Sequence, residues 1–151
     1  MSIIAFFIFL LWLSFAAAKV EIAIEGPEGW AKNLPTYRFP EGHWVSRLFF
    51  SDKPATSYHI WLEISLVSVL HMVYLFTAFT WKIEFQVLAF FFFFCIVEDF
   101  LWFALNPAFG VKNFRKDKIW WHQKHWWLIA PRDYYFFLLI GVVFYLFSFH
   151  L

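Results

Sequence analysis

The chain has 151 residues, of which 62% are hydrophobic and 26% aromatic, and its formal net charge is +1. Soluble domains are about 45–50% apolar, so one aqueous core cannot bury this much apolar surface. The near-neutral charge argues against a nucleic-acid-binding protein, which usually carries a strongly basic surface. Cys95 is the only cysteine, which excludes an intramolecular disulfide framework and a cysteine-pair zinc site.

Four apolar segments follow one another, and a membrane-spanning helix needs roughly 20 such residues. We therefore predict an all-α, polytopic membrane protein in which residues 1–151 form a single membrane domain. The first segment ends in three alanines that resemble a signal-peptide cleavage site, but no Lys or Arg precedes it, which favours a retained span. The predicted spans are approximately residues 2–18, 58–81, 85–105 and 134–149, joined by long connections at residues 19–57 and 106–133.

The basic residues predict an orientation in the membrane. Lys82 lies in the tight turn predicted at Lys82-Ile83-Glu84 between the second and third spans, and every other Lys and Arg lies in the two long connections. The positive-inside rule then places both long connections in the cytoplasm and both termini outside, in a cell or organelle membrane. In the first connection, the alternating stretch KVEIAIEG fits either a short strand or the frayed end of the first helix.

Three acidic residues fall inside predicted spans: Glu63, Glu98 and Asp99. A charge near the centre of a membrane helix costs about 2.5–3.5 kcal/mol, so these side chains must face protein or water. His59 precedes Glu63 by four residues and shares its helix face. Counted at about 1.5 Å per residue, Glu63 and Glu98 lie at similar depths below the cytoplasmic face. These three acids are the candidate catalytic residues.

The stretch IWWHQKHWW, residues 119–127, predicts a Trp- and His-rich interfacial helix between the third and fourth spans. On such a helix, His122 and His125 lie about 60° apart on one face. Two interpretations stay open. The histidines either belong to an interfacial anchor or form a ligand pair over the mouth of the helical bundle.

Together these residues suggest a metal-dependent enzyme acting on an apolar or lipid-like substrate. Carboxylate oxygens and neutral imidazoles are what iron or zinc requires. Tryptophans near the same face would shape an apolar entrance for the substrate. The candidate metal ligands are His59, Glu63, Glu98, Asp99, His122 and His125, and the candidate substrate-binding residues are Trp102, Trp121 and Trp126.

Two short motifs resemble known families. HQKHW resembles one histidine box of the membrane fatty-acid desaturases and hydroxylases, although the chain's 6 histidines are too few for that ligand set. HIWLE, with His59 and Glu63 on one helix and an acid on the next, resembles the emopamil-binding sterol-isomerase family. That resemblance covers one helix turn plus Glu98 and implies metal-free proton transfer on an apolar ring system.

Three alternatives to a metal-dependent enzyme remain open from the sequence. One is a metal-free acid–base enzyme, such as an isomerase of a lipid or sterol-like substrate. Another is a non-catalytic accessory or assembly subunit, in which ionisable groups pair with partner membrane subunits. A proton or ion pathway is a weaker option, because only His71 lies far enough from the cytoplasmic face to continue a relay.

Overall fold

The structure is a computed structural model that describes residues 2–40, 42–50 and 53–150. It is mostly helical, with 65% of the residues in helices, so the predicted helical class is confirmed. A hairpin of two very short strands precedes the last helix. The α-helices are α1 (Ile3–Glu25), α2 (Trp44–Phe49), α3 (Ser57–His71), α4 (Trp81–Leu105) and α5 (Arg132–Phe147), and the strands are β1 (Trp126–Trp127) and β2 (Ala130–Pro131).

Three of the described helices are long and apolar enough to cross a membrane: Ile3–Glu25, Ser57–Leu75 and Trp81–Leu105. The second includes a 3₁₀ turn, Met72–Leu75, that extends α3. Most side chains in these helices are not buried by the protein, so apolar surface faces outward, as lipid contact requires. The fourth predicted span is not confirmed, because α5 has 16 residues and is about 24 Å long, less than the roughly 30 Å of a hydrocarbon core.

The first helix ends seven residues later than the sequence suggested, at Glu25 instead of residue 18. The stretch KVEIAIE therefore continues the helix, and the strand interpretation is wrong. Gly26 ends it with φ +71°, and its N–H donates to the carbonyl of Ile22. The consequence is that Glu21 and Glu25, one turn apart, share a face of α1.

The turn between α3 and α4 lies at residues 76–80, not at Lys82-Ile83-Glu84. Thr80 fixes the start of α4, because its hydroxyl accepts the N–H of Ile83 at 3.2 Å. Beside this turn, Glu84 binds the Tyr74 hydroxyl at 2.8 Å and lies 3.3 Å from Nε2 of His71. His71 of α3 therefore interacts with Glu84 of α4 across the turn.

Helix α4 is the centre of the bundle and packs along both α1 and α5. Phe6 and Leu10 of α1 pack against Ala89, Phe90 and Phe94. Helix α5 also approaches α4 closely, since a Cβ added to its Gly141 would lie 2.7 Å from the Phe93 ring. Helix α3 touches α4 over a smaller area, and its side chains are mostly exposed.

The predicted interfacial helix at residues 119–127 is not confirmed. This stretch forms turns and a three-residue 3₁₀ helix, Gln123–His125, followed by β1, which pairs antiparallel with β2. Tryptophan and histidine are weak helix formers, and the pairing of Trp126 and Trp127 with β2 requires extended backbone. As a result, His122 and His125 do not share a helix face.

The two long connections pack together at one end of the bundle. They bury an aromatic cluster that includes Trp30 of the first connection, Trp121 of the second, and Trp102 and Phe103 of α4. The Trp30 indole N–H donates to the carbonyl of Pro54 at 2.7 Å, which ties the two ends of the first connection together. The polar site lies against this cluster.

Candidate metal centre

Glu21, Glu25 and His59 bring three ligand-type atoms within 4.8 Å of one another. Nε2 of His59 lies 3.2 Å from Oε1 of Glu25 and 4.0 Å from Oε1 of Glu21. Glu25 and His59 are only 5% and 6% exposed. Two carboxylates and an imidazole at these separations form a set that can hold a metal ion.

His59 is oriented by the start of α3. Thr56 is the N-cap of that helix, and its hydroxyl lies 2.7 Å from Nδ1 of His59. The Trp30 ring stacks on the imidazole, with centroids 4.0 Å apart and planes inclined by 22°. Both contacts leave Nε2 directed at the carboxylates of α1. A metal-binding histidine usually engages its second ring nitrogen in this way.

Glu25 is held by backbone donors from the turn that follows α1. Its oxygens accept the N–H of Trp30 at 3.1 Å and the N–H of Ala31 at 2.5 Å. Both donor residues have left-handed backbone, with φ values of +50° and +51°. Since non-glycine residues adopt this conformation at a cost, the carboxylate stabilises the turn while the turn fixes the carboxylate.

Further carboxyl groups converge on the same place from α3 and α4. Glu98 is in hydrogen-bonding contact with Glu21 and lies within electrostatic reach of Glu63 and Asp99. Oε1 of Glu98 and Oε2 of Glu63 are buried, and neither has a hydrogen-bond partner among the described residues. Carboxyl groups this close cannot all be ionised unless a cation neutralises them. Without a cation, at least one of them is protonated.

Asp99 points to a different face of α4 from its neighbour Glu98. Its Oδ2 accepts the hydroxyl of Tyr134 at 2.5 Å and lies 3.6 Å from Nε2 of His122. Burial lowers the pKa of His122 below its usual value, and the nearby charge of Lys53 lowers it further. The imidazole is therefore neutral near pH 7, the form that binds metal ions.

Lys53 brings a positive charge to this region. Its ammonium lies 3.4 Å from Oδ2 of Asp133 and 4.6 Å from the centre of the Trp30 ring. It also acts electrostatically on Glu63, Asp99 and His122. One ammonium does not balance the carboxyl groups around it.

The predicted site residues therefore divide into groups. Glu98 lies within electrostatic reach of Glu63 and Asp99, whereas His59 contacts Glu25 and Glu21. His125 is half-buried, and its Nε2 has no hydrogen-bond partner among the described residues. The predicted entrance tryptophans Trp102 and Trp121 are buried in the aromatic cluster, with indole N–H groups that find no acceptor in the described chain. Trp126 is half-buried, with its ring centroid 5.2 Å from that of Phe114.

Sequence reasoning missed Glu21 and Glu25, two of the three residues in the tightest group. The signal was present, because carboxylates four residues apart share a helix face. It was lost because the first helix was predicted to end at residue 18, which left both acids in a connection.

No protein-family model, curated protein or solved structure matches this chain.

Proposed function

We propose that this protein is a metal-dependent membrane enzyme that acts on an apolar or lipid-like substrate, with Glu21, Glu25 and His59 binding the metal ion. The observation that carries the proposal is the distance of 3.2 Å between Nε2 of His59 and Oε1 of Glu25, with Glu21 beside them. The three side chains come from two different helices, and each is held by packing or hydrogen bonds before any ion binds.

The charge balance also favours a cation. Lys53 and Arg38 lie close enough to act on this region, and two positive charges do not balance six acidic side chains. Ionised carboxylates away from water are costly unless they are neutralised. A divalent ion neutralises two of them directly. The acidic side chains are Glu21, Glu25, Glu63, Glu98, Asp99 and Asp133.

The ligand chemistry indicates which metal the site prefers. Carboxylate oxygens are hard ligands and imidazole is intermediate, so the mixed set favours iron or zinc over magnesium or calcium. Glu98 contacts Glu21 and is placed to complete the coordination or to hold a proton near the ion. Glu63 belongs to the same set of acidic side chains, and its buried Oε2 has no hydrogen-bond partner among the described residues.

The surroundings of the site support an apolar substrate. Aromatic rings of Trp30, Trp102 and Trp121 line the same end of the bundle, which surrounds the site with apolar side chains. Helix α3 is mostly exposed along its length. We infer that a lipid-like molecule reaches the carboxyl groups from the bilayer, beside α3.

Metal analysis of the purified protein tests the proposal. The protein is extracted in mild detergent, and its bound iron and zinc are measured by mass spectrometry beside two variants. His59→Ala removes the imidazole of the site, while His71→Ala removes a half-buried histidine near the opposite end of α3 and is the matched control. We expect His59→Ala to lose one equivalent of metal and His71→Ala to keep the wild-type content.

Activity is tested on a total membrane lipid extract. Metal-loaded wild-type protein and His59→Ala are incubated with the extract, and lipid masses are compared before and after. A mass change that requires both metal and His59 supports the proposal. Metal binding with no metal-dependent change in any lipid argues against an enzyme of lipids and favours a structural metal site.

The contact between Glu21 and Glu98 favours one alternative, a metal-free acid–base enzyme. Two carboxyl groups in contact are stable when they share a proton, and that proton is available for transfer to a substrate. Under this alternative, lipid conversion survives exhaustive chelation and is lost in Glu98→Gln. Under the metal-dependent proposal, chelation alone abolishes it.

A further inference from the structure

His122 is buried without a hydrogen bond. It is 0% exposed, and neither of its ring nitrogens has a hydrogen-bond partner among the described residues. Its neighbours include the rings of Phe103 and Trp121. Buried polar groups in folded proteins nearly always have a partner, which is sometimes a bound ion. Among the described residues, the imidazole pairs only loosely, with the carboxylate of Asp99.

The distance between His122 and Asp99 fits two ligands of one metal ion. Nε2 of His122 lies 3.6 Å from Oδ2 of Asp99, which is too long for a good hydrogen bond. Ligands bound at about 2.0–2.2 Å in tetrahedral geometry lie roughly 3.4 Å from each other. A small adjustment of either side chain brings both atoms to one ion.

Tyr134 supplies a third candidate ligand atom at the same place. Its hydroxyl, in the first turn of α5, donates to Oδ2 of Asp99 at 2.5 Å, so the phenol has to lose this proton and move away from Oδ2 for all three groups to bind one ion. The three groups thus come from α4, the second long connection and α5. Lys53 is the competing cation, but its ammonium is paired with Asp133 and stacked over Trp30.

We propose that Asp99, His122 and Tyr134 bind a second metal ion, on a different face of α4 from Glu98, which contacts Glu21 of the first site. Carboxylate and phenolate oxygens are hard anionic ligands and imidazole binds iron well, so this set of ligands favours iron. The inference stands on its own geometry and does not require the first site to be occupied.

Counting bound iron tests the second site. Detergent-purified protein is stripped with a chelator, reloaded with ferric iron, desalted and analysed for iron per chain. Wild type is expected to hold two equivalents, His59→Ala one, His122→Gln one, and the double variant none. Gel filtration of each variant shows whether it is folded and monodisperse.

The outcomes separate the two proposals. If His122→Gln binds as much iron as wild type while His59→Ala loses iron, the second site is wrong and the first stands. If His59→Ala loses nothing while His122→Gln loses one equivalent, the second site stands and the first is wrong. Iron absent from wild type overturns the second site, and the first site then stands only if the protein binds zinc through His59.

A spectroscopic readout keeps the second site testable if His122→Gln does not fold. Ferric iron bound to a tyrosine phenolate has a charge-transfer band in the visible range. Tyr134→Phe keeps the ring and is expected to lose the band together with one equivalent of iron. Tyr135→Phe is the matched control, because its hydroxyl donates to the carbonyl of Trp127 instead. An unchanged band in Tyr134→Phe, or iron-loaded wild type without the band, overturns the assignment.

Discussion

Glu98 and Asp99 are neighbours on α4, yet they contact different helices. Glu98 is in hydrogen-bonding contact with Glu21 of α1, whereas Asp99 accepts the hydroxyl of Tyr134 from α5 at 2.5 Å. Successive residues on an α-helix point about 100° apart, so a central helix can present one carboxyl group to each neighbour. The pair therefore belongs to two groups of polar side chains and not to one.

Glu98→Gln is expected to change stability in opposite directions with and without metal. The substitution removes one of two carboxyl groups in contact, so the metal-free protein becomes more stable by about 1 kcal/mol. It also weakens the metal site, so added iron or zinc raises the melting temperature less than it does in wild type. Thermal unfolding in detergent, with chelator or with metal, measures both effects. A variant less stable than wild type in chelator contradicts this interpretation.

Glu25→Ala is expected to destabilise the protein by about 2–4 kcal/mol, because two backbone N–H groups lose their charged acceptor. Glu28→Ala is the matched control. Glu28 forms an exposed pair with Lys32 at 2.6 Å, and such pairs contribute about 1 kcal/mol or less. Chemical denaturation of both variants in chelator separates this turn-stabilising role from any metal binding. Equal effects at the two positions would falsify the structural role of Glu25.

Gly29→Ala is expected to disturb the aromatic cluster beside the site. A Cβ at this position would lie 2.6 Å from the Trp121 ring and 2.7 Å from the Trp102 ring. Gly26→Ala is a close control, because Gly26 has a similar φ of +71° but nothing within 4 Å of an added Cβ. Both variants carry a similar backbone strain, so the difference between their free energies of unfolding measures the steric clash. We expect this clash to cost about 1–3 kcal/mol. Tryptophan fluorescence should shift in Gly29→Ala only.

Cysteine labelling tests the orientation and the fourth span. In a Cys95→Ser background, Lys32→Cys and Lys116→Cys are expected to react with a membrane-impermeant reagent only from the cytoplasmic side. Thr77→Cys is expected to react only from the outside. His150→Cys decides the status of α5: labelling from outside indicates that α5 spans the bilayer, and labelling from the cytoplasm indicates three spans. Reversed reactivity of Lys116→Cys and Thr77→Cys would show that the predicted orientation is wrong.

The sequence alone was enough to predict the membrane class and the presence of acidic residues within the helices. Both follow from local properties, since a long run of apolar residues and a carboxyl group inside it are visible without knowing any contact. Glu63 and Glu98 lie within electrostatic reach of each other, on α3 and α4, the two helices that the sequence predicts to be a hairpin.

Only the tertiary structure decided which of these groups meet. Glu21 and Glu25 joined His59 because α1 continues to Gly26 and because a left-handed turn at Trp30 and Ala31 needs a carboxylate acceptor. His122 reached Asp99 through an irregular connection that carries no helical or strand periodicity. Sequence patterns predict elements with a repeating period, whereas contacts made by an irregular loop depend on packing against the rest of the fold.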